Sequence, residues 1–262
     1  MAQHEDRHRQ EIIDQFSRQA IPFTQLPGHL DAVQVLVQSS GVSDRDHVLD
    51  VACGPGLVAC EFARHAAHVT GIDITQAMIE QAQARQAKQG LRNLTWEVGD
   101  ALPLPFADGS FSLVITRYSF HHFLEPARVL DEMIRVCRPS GRVLVADVAV
   151  PAECSVAYDR MESMRDPSHT HALTDNEFAE LFAASDLVDC RRTSYDVEME
   201  LEAQLRASFP KPGDAERLRQ IVTADVGVNA LGVQARRDGE EIRFTYPIAV
   251  FWGRKETTKT RG

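Results

Sequence analysis

The segment D-V-A-C-G-P-G (residues 50–56) sets a carboxylate, Asp50, ahead of two glycines, and Gly54-Pro55-Gly56-Leu57-Val58-Ala59 fits the pattern G-x-G-x-x-G/A. Glycines in such a loop let backbone approach a ligand closely and bend a strand into a helix. The helix that follows offers unpaired amides and partial positive charge at its start. Two ligands use a loop of this kind. A dinucleotide sets its pyrophosphate there; S-adenosylmethionine has no phosphate and sets its ammonium and carboxylate nearby. On this reading Asp50 separates the two. A carboxylate at the strand end repels a pyrophosphate and attracts an ammonium, each by about 4 kcal/mol at ~4 Å and an effective dielectric of roughly 20. The alternative is that Asp50 only caps the loop through its amides.

Two further acidic positions follow. Asp73 closes H-V-T-G-I-D (68–73), where a carboxylate accepts both hydroxyls of a ribose. Gly99-Asp100-Ala101 closes a third apolar segment, where a carboxylate accepts an adenine amino group and the next amide donates to the ring. Ile74, Met78 and Leu102 are placed to sandwich that adenine. The competing readings are a helix cap for Asp73 and a plain turn for Asp100.

All of these residues fall at the ends of expected strands. Short apolar runs at 47–52, 68–73, 94–100, 111–118 and 142–150 alternate with helical segments that begin near Leu57, Thr75 and Pro126. Alternation of this kind implies βαβ units and a mostly parallel sheet, with its ligand beyond the carboxyl ends of the strands. Helical spacing at 10–20 and 29–38 precedes the core, interrupted by Pro22 and Pro27-Gly28. After Pro151 the rhythm changes. Thr174 and Glu177 have capping-box spacing, residues 216–227 read as a helix, and 189–199 and 241–255 read as closing strands. The expected organisation is one compact domain with three parts: N-terminal helices over the cofactor site (1–40), a Rossmann-like core (41–150), and a cap with the last strands (151–262).

These segments together resemble the class I S-adenosylmethionine-dependent methyltransferases. LDVACGPG is similar to their first motif, GIDITQAMI to the acidic segment after it, and VGDALPLPFADGSFSLV to the adenine-contact segment. The likeness is to the UbiE/MenG-like, methyltransferase-type-11 group and, through MRDPSH (164–169), to its YcgJ-like branch. Ala52 stands where many relatives have glycine. The resemblance implies a Rossmann-like α/β fold, with a mostly parallel seven-stranded sheet, helices on both faces and a small helical cap. It implies S-adenosylmethionine as cofactor and S-adenosylhomocysteine as product. The cofactor-binding set is then Arg18, Asp50, Ala52, Gly54, Gly56, Asp73, Ile74, Met78, Gly99, Asp100, Ala101 and Arg117. Within it, Arg18 meets the cofactor carboxylate from an N-terminal region that also carries Phe16 and Phe23, with Phe16 read as core.

Methyl transfer is an in-line displacement for which the protein mainly positions the acceptor. An O or N acceptor also loses a proton, and histidine is the obvious base. His121 and His122, after the fourth strand, and His169 in the cap are the candidates. His169 and His171 as a metal pair lack a third ligand, so no metal is expected. Arg165 and Asp166 either bind an anionic substrate or pair with each other.

The net charge of -10 disfavours phosphate backbones and anionic lipid heads. No apolar run is long enough for a membrane span, and the charged N-terminus has no secretory pattern. Five scattered cysteines, with no C-x-x-C pair, read as reduced thiols in a cytoplasm. The expected partner is a small-molecule substrate, not nucleic acid, with a homodimer as the candidate assembly. The rivals are a non-methylating S-adenosylmethionine-binding protein (cyclase, lyase or sensor), an NAD(P)-dependent oxidoreductase, and a nucleic-acid or protein methyltransferase. The oxidoreductase lacks a Tyr-x-x-x-Lys set, since Tyr118 is followed by His122 at that step.

Overall fold

The computed structural model describes residues 2–21 and 32–257. Pro22, Phe23 and Pro27-Gly28 lie outside the described residues.

Eight strands form one sheet: β1 (His47–Val51), β2 (His68–Asp73), β3 (Leu94–Val98), β4 (Phe111–Arg117), β5 (Cys137–Val148), β6 (Leu187–Glu200), β7 (Arg236–Asp238) and β8 (Glu241–Lys255). The order is β3-β2-β1-β4-β5-β8-β6, with β7 paired to β8. The first five pair in parallel, whereas β8 runs antiparallel to both β5 and β6. This is the expected seven-stranded sheet plus one short arm. That arm, Arg-Arg-Asp, carries no apolar signal from which to read a strand.

Helices α1 (Ala2–Gln19), α2 (Val33–Ser40), α3 (Leu57–Phe62), α4 (Gln76–Gln89), α5 (Pro126–Val136), α6 (Ser155–Arg165), α7 (Asp175–Ala183), α8 (Leu201–Ala207) and α9 (Asp214–Ala224) surround the sheet. Thr174 and Glu177 form the expected capping box at α7. Thr75 sits at the N-cap position of α4, but its side chain makes no capping bond. The helix from Pro126 ends at Val136, and Cys137 already belongs to β5. Pro139 lacks the amide that would continue it, and Ser140 takes a positive φ of 61°.

Every residue of β4 is buried, because helices cover both faces of the sheet. Side chains alternate between two cores. Val48, Leu113 and Ile115 pack with α2 and α3, while Leu49, Val114 and Val143 pack with α5 and α7. The strand order reverses between β1 and β4, opening a crevice beyond their carboxyl ends. Among the described residues no helix is long and apolar enough to cross a membrane.

Gly56 is set by this packing. It has φ 72°, and an added Cβ would lie 2.7 Å from the Trp96 ring and 2.8 Å from the Ala82 Cβ. Gly56→Val is therefore expected to destabilise the fold by at least about 2 kcal/mol. Urea unfolding checks this; an unchanged midpoint would show that α4 yields at no cost.

Candidate functional site

A cavity of about 260 Å³ fills the crevice. Its floor is the glycine loop and the ends of β2, β3 and β4, and its roof is one face of α1. Ala52, Gly54, Asp73, Ile74, Met78, Gly99, Asp100, Ala101 and Arg117 all line it. Ala52 and Gly54 have φ of 53° and 50°, so their backbone turns toward the cavity in the left-handed region that glycine takes most readily. Asp73 ties this turn down. Its Oδ2 accepts from the Gly54 amide and its Oδ1 from the Thr75 amide, both at 2.8 Å. Burial raises the Asp73 carboxyl above its ordinary value, against the pull of those two amides.

Three residues of the expected cofactor set do not line the cavity. Asp50 is 1% exposed. Strand alternation turns it to the face of Val48, toward α3 and away from the crevice. Burial pushes its carboxyl up to about 8, with the nearby Asp73 charge adding to the rise and the Ala59 amide opposing it. Asp50 is thus mostly neutral at pH 7, and an ion pair between it and a ligand ammonium is not built here. Gly56 packs on Trp96 and Ala82 instead of the cavity. Arg18 is exposed on the opposite side of α1. Arg9, nine residues earlier, lines the cavity, and nine residues at 100° each amount to half a turn.

N-terminal helices were expected over the site, but the residues that roof the cavity were not legible from the motifs. His8, Arg9, Ile12 and Phe16 all line it, at helical spacing along α1. The Arg9 Nε donates to Asp100 Oδ2 at 2.8 Å, and the His8 ring lies 2.7 Å from the His122 carbonyl oxygen. Phe16, expected as core, meets the His122 ring edge-on at 5.0 Å.

Phe16, Tyr118 and His122 also line a second cavity of about 100 Å³ on the sheet side of α6. Tyr118 has φ 58°, a strained setting for a bulky residue that recurs at functional sites. His121 lines only this second cavity, and its Nδ1 lies 2.7 Å from Asp147 Oδ1. Burial lowers the His121 imidazole, but Asp147 more than offsets it, and the net shift is upward. His122 instead has its Nδ1 at 3.0 Å from the Ser168 carbonyl, and burial beside His121 drives it down to about 3. It is neutral at pH 7 and a weak base.

His169 lines neither cavity. Its side chain is 1% exposed and its Nε2 lies 2.8 Å from Asp159 Oδ1. Asp159 also holds His171, at 2.6 Å, so this pair of imidazoles anchors the cap. The base expected at His169 is replaced by a structural contact. Arg165 does not reach for an anion. It pairs with Glu162 at 2.7 Å and lies 4.0 Å from Asp166.

Residues 48–141 match a methyltransferase domain family. The YcgJ methyltransferase of Bacillus subtilis is 25% identical over 229 residues, 84% of this chain and 89% of that protein. Its solved structure superposes with a TM-score of 0.77 over 87% of this chain and 99% of that one. The BH2331 protein of Bacillus halodurans is 23% identical and superposes at 0.78 over 87% of this chain and all of its own. The cyclase SpnF, 19% identical, superposes at 0.58 over 87% of this chain and 80% of its own. These last two likenesses speak to fold alone.

The neutral Asp50 has a measurable consequence. A carboxyl raised in the folded state is charged in the unfolded chain above about pH 4, so its contribution to stability falls as pH rises from there to about 8. Asp50→Asn removes that dependence. It is expected to raise Tm more at pH 8 than at pH 5; an equal change at both values would show that Asp50 is charged in the fold.

Proposed function

We propose that this chain, which belongs by its core domain and fold to the class I S-adenosylmethionine-dependent methyltransferases, transfers a methyl group to a small molecule held in the second cavity. The observation that carries this reading is the junction of the two cavities. A hollow lined by Asp73 meets, across Phe16, Tyr118 and His122, a second cavity lined by the His121–Asp147 pair.

The first cavity fits the donor. Asp73 supplies acceptors for ribose hydroxyls, Ile74, Met78 and Leu102 supply apolar surface for a purine, and the left-handed backbone of Ala52 and Gly54 leaves room for a close approach. When bound, the donor supplies a methyl group on a sulfonium, a leaving group that needs no further activation. The chain's own residues then position the acceptor and manage its proton. Asp147 accepts from the His121 ring and from its backbone amide, fixing the tautomer and orientation of the imidazole. The other ring nitrogen of His121 is left to take a proton from an acceptor in the chamber. His122 separates the two ligands as a neutral wall.

Two outcomes test this. Asp73→Ala should lower adenosylhomocysteine affinity by roughly 10- to 100-fold, the cost of charge-assisted hydrogen bonds, with the protein still folded. Unchanged affinity by calorimetry would remove the donor site from this cavity. For the base, the rate should rise with pH through a His121 titration above its ordinary value. Asp147→Asn should move that limb to lower pH and reduce kcat by about 10²-fold or more. An unmoved limb would exclude the pair from the reaction.

A further inference from the structure

The charged and aromatic lining of the second cavity points to a class of acceptor. Three carboxylates line it, Asp147, Glu162 and Asp166, against the single guanidinium of Arg165. The excess is two negative charges with both imidazoles neutral and one with His121 protonated. Each carboxylate stays ionised. Burial raises all three, but His121 holds Asp147, Arg165 holds Glu162, and the neighbouring His122 with Arg165 and Ser168 holds Asp166 below the ordinary range. Arg165 is paired with Glu162 at 2.7 Å and donates to Ser208 Oγ at 3.2 Å. An anionic acceptor would therefore enter a chamber of its own sign.

A second, independent feature lies on the chamber wall. Gln204 is 8% exposed, and its Oε1 has no hydrogen-bond partner among the described residues. Its Nε2 lies at 3.5 Å from Tyr246 Oη, whose own proton goes to Glu162 at 3.0 Å. A buried acceptor without a donor costs stability unless a ligand supplies one. Phe16, Tyr118, Tyr158 and Tyr246 complete the wall with ring surfaces of the kind that attract cations.

We infer that the acceptor is a small organic amine that enters as its ammonium, donates to Gln204 and is methylated on nitrogen. This rests on the methyltransferase reading above and names its substrate class. The chemistry balances. The ammonium gives one proton to the free ring nitrogen of His121, which later passes it to solvent. The nitrogen lone pair takes the methyl group, the C–S electron pair stays on sulfur, and the product leaves as the methylated ammonium. At about 100 Å³ the chamber is smaller than the roughly 150 Å³ that accepts benzene, so it sets a limit below a six-membered ring, near a short branched aliphatic amine.

The test is binding without turnover. Full-length protein saturated with adenosylhomocysteine is titrated with ethylamine, propylamine and isobutylamine, and with the alcohol and the carboxylate of each skeleton, by ligand-observed NMR. At least one amine should bind about tenfold or more tighter than both partners of its own skeleton. Gln204→Met should weaken that amine about tenfold while Tm is held or raised, because it removes an unsatisfied buried oxygen; Gln204→Leu repeats the measurement if methionine lowers Tm. An alcohol or carboxylate that binds as tightly as its amine overturns the inference. So does the absence of any amine binding to protein that holds adenosylhomocysteine, or an amine affinity unmoved in both variants. Failure to hold adenosylhomocysteine at all is a different result and removes the methyltransferase reading with it.

Discussion

The hold of Asp73 on the glycine loop is the interaction on which the site depends. One carboxylate at the end of β2 accepts from Gly54 across the crevice and from Thr75 on its own chain. Two neighbouring strands are thereby joined beyond their last ladder bond, and the left-handed turn through Ala52 and Gly54 is held open. That turn has an intrinsic cost, since alanine at φ 53° is disfavoured by roughly 1 kcal/mol or more. Two charge-assisted hydrogen bonds offset it at about 1.5–3 kcal/mol each. The strain is stable only because the acidic residue is where it is. The same carboxylate also lines the cavity, so loop shape and cavity lining share one side chain.

The second cavity follows another rule. Burying ion pairs rarely stabilises a fold, and apolar replacements of similar volume are often as good or better. Yet Glu162, Arg165, Asp166 and the His121–Asp147 pair are gathered around one small space, each with satisfied partners. The adjacent apolar core on both faces of the sheet shows that the chain has aliphatic residues to use there. A cluster of this cost, placed next to the first cavity, is understood through what it would do for a ligand. It sets a local potential and fixes an imidazole, which stability alone would not require.

Helix α1 connects the two spaces. Its inner face passes from Arg9 over the first cavity to Phe16 and Gln19 at the second, where Gln19 donates to Asp166 at 3.2 Å. Its ionic contact to the core, Arg9 with Asp100, is 46% and 32% exposed and is worth at most about 1 kcal/mol. The roof is held by apolar contact and a few hydrogen bonds, in contrast to the floor, which is covalently continuous with the sheet.

The difference between floor and roof also explains what the sequence made legible. Strand positions, the glycine loop, and the positions of Asp73 and Gly99-Asp100-Ala101 follow from short apolar runs ending in turn residues, a local signal. The direction of a side chain at those ends is not local. Asp50 and Asp73 look alike as acidic residues closing a strand. Asp50 lies one residue before the end of β1, however, and the period of two turns it to the helix-covered face. A carboxylate buried there gives up its charge, so an electrostatic argument built on it fails even though the donor reading stands on other residues. Arg18 failed through helical phase, half a turn from Arg9. A hydrophobic stripe through Ile12 and Phe16 was visible in α1, but no sequence period says whether such a stripe covers a core or a cavity. His121 and His169 were both candidate bases by type and each has a carboxylate beside it, so only the cavity that His121 lines distinguishes them. Function in this chain is read at the places where two distant segments meet, and those meetings are tertiary facts.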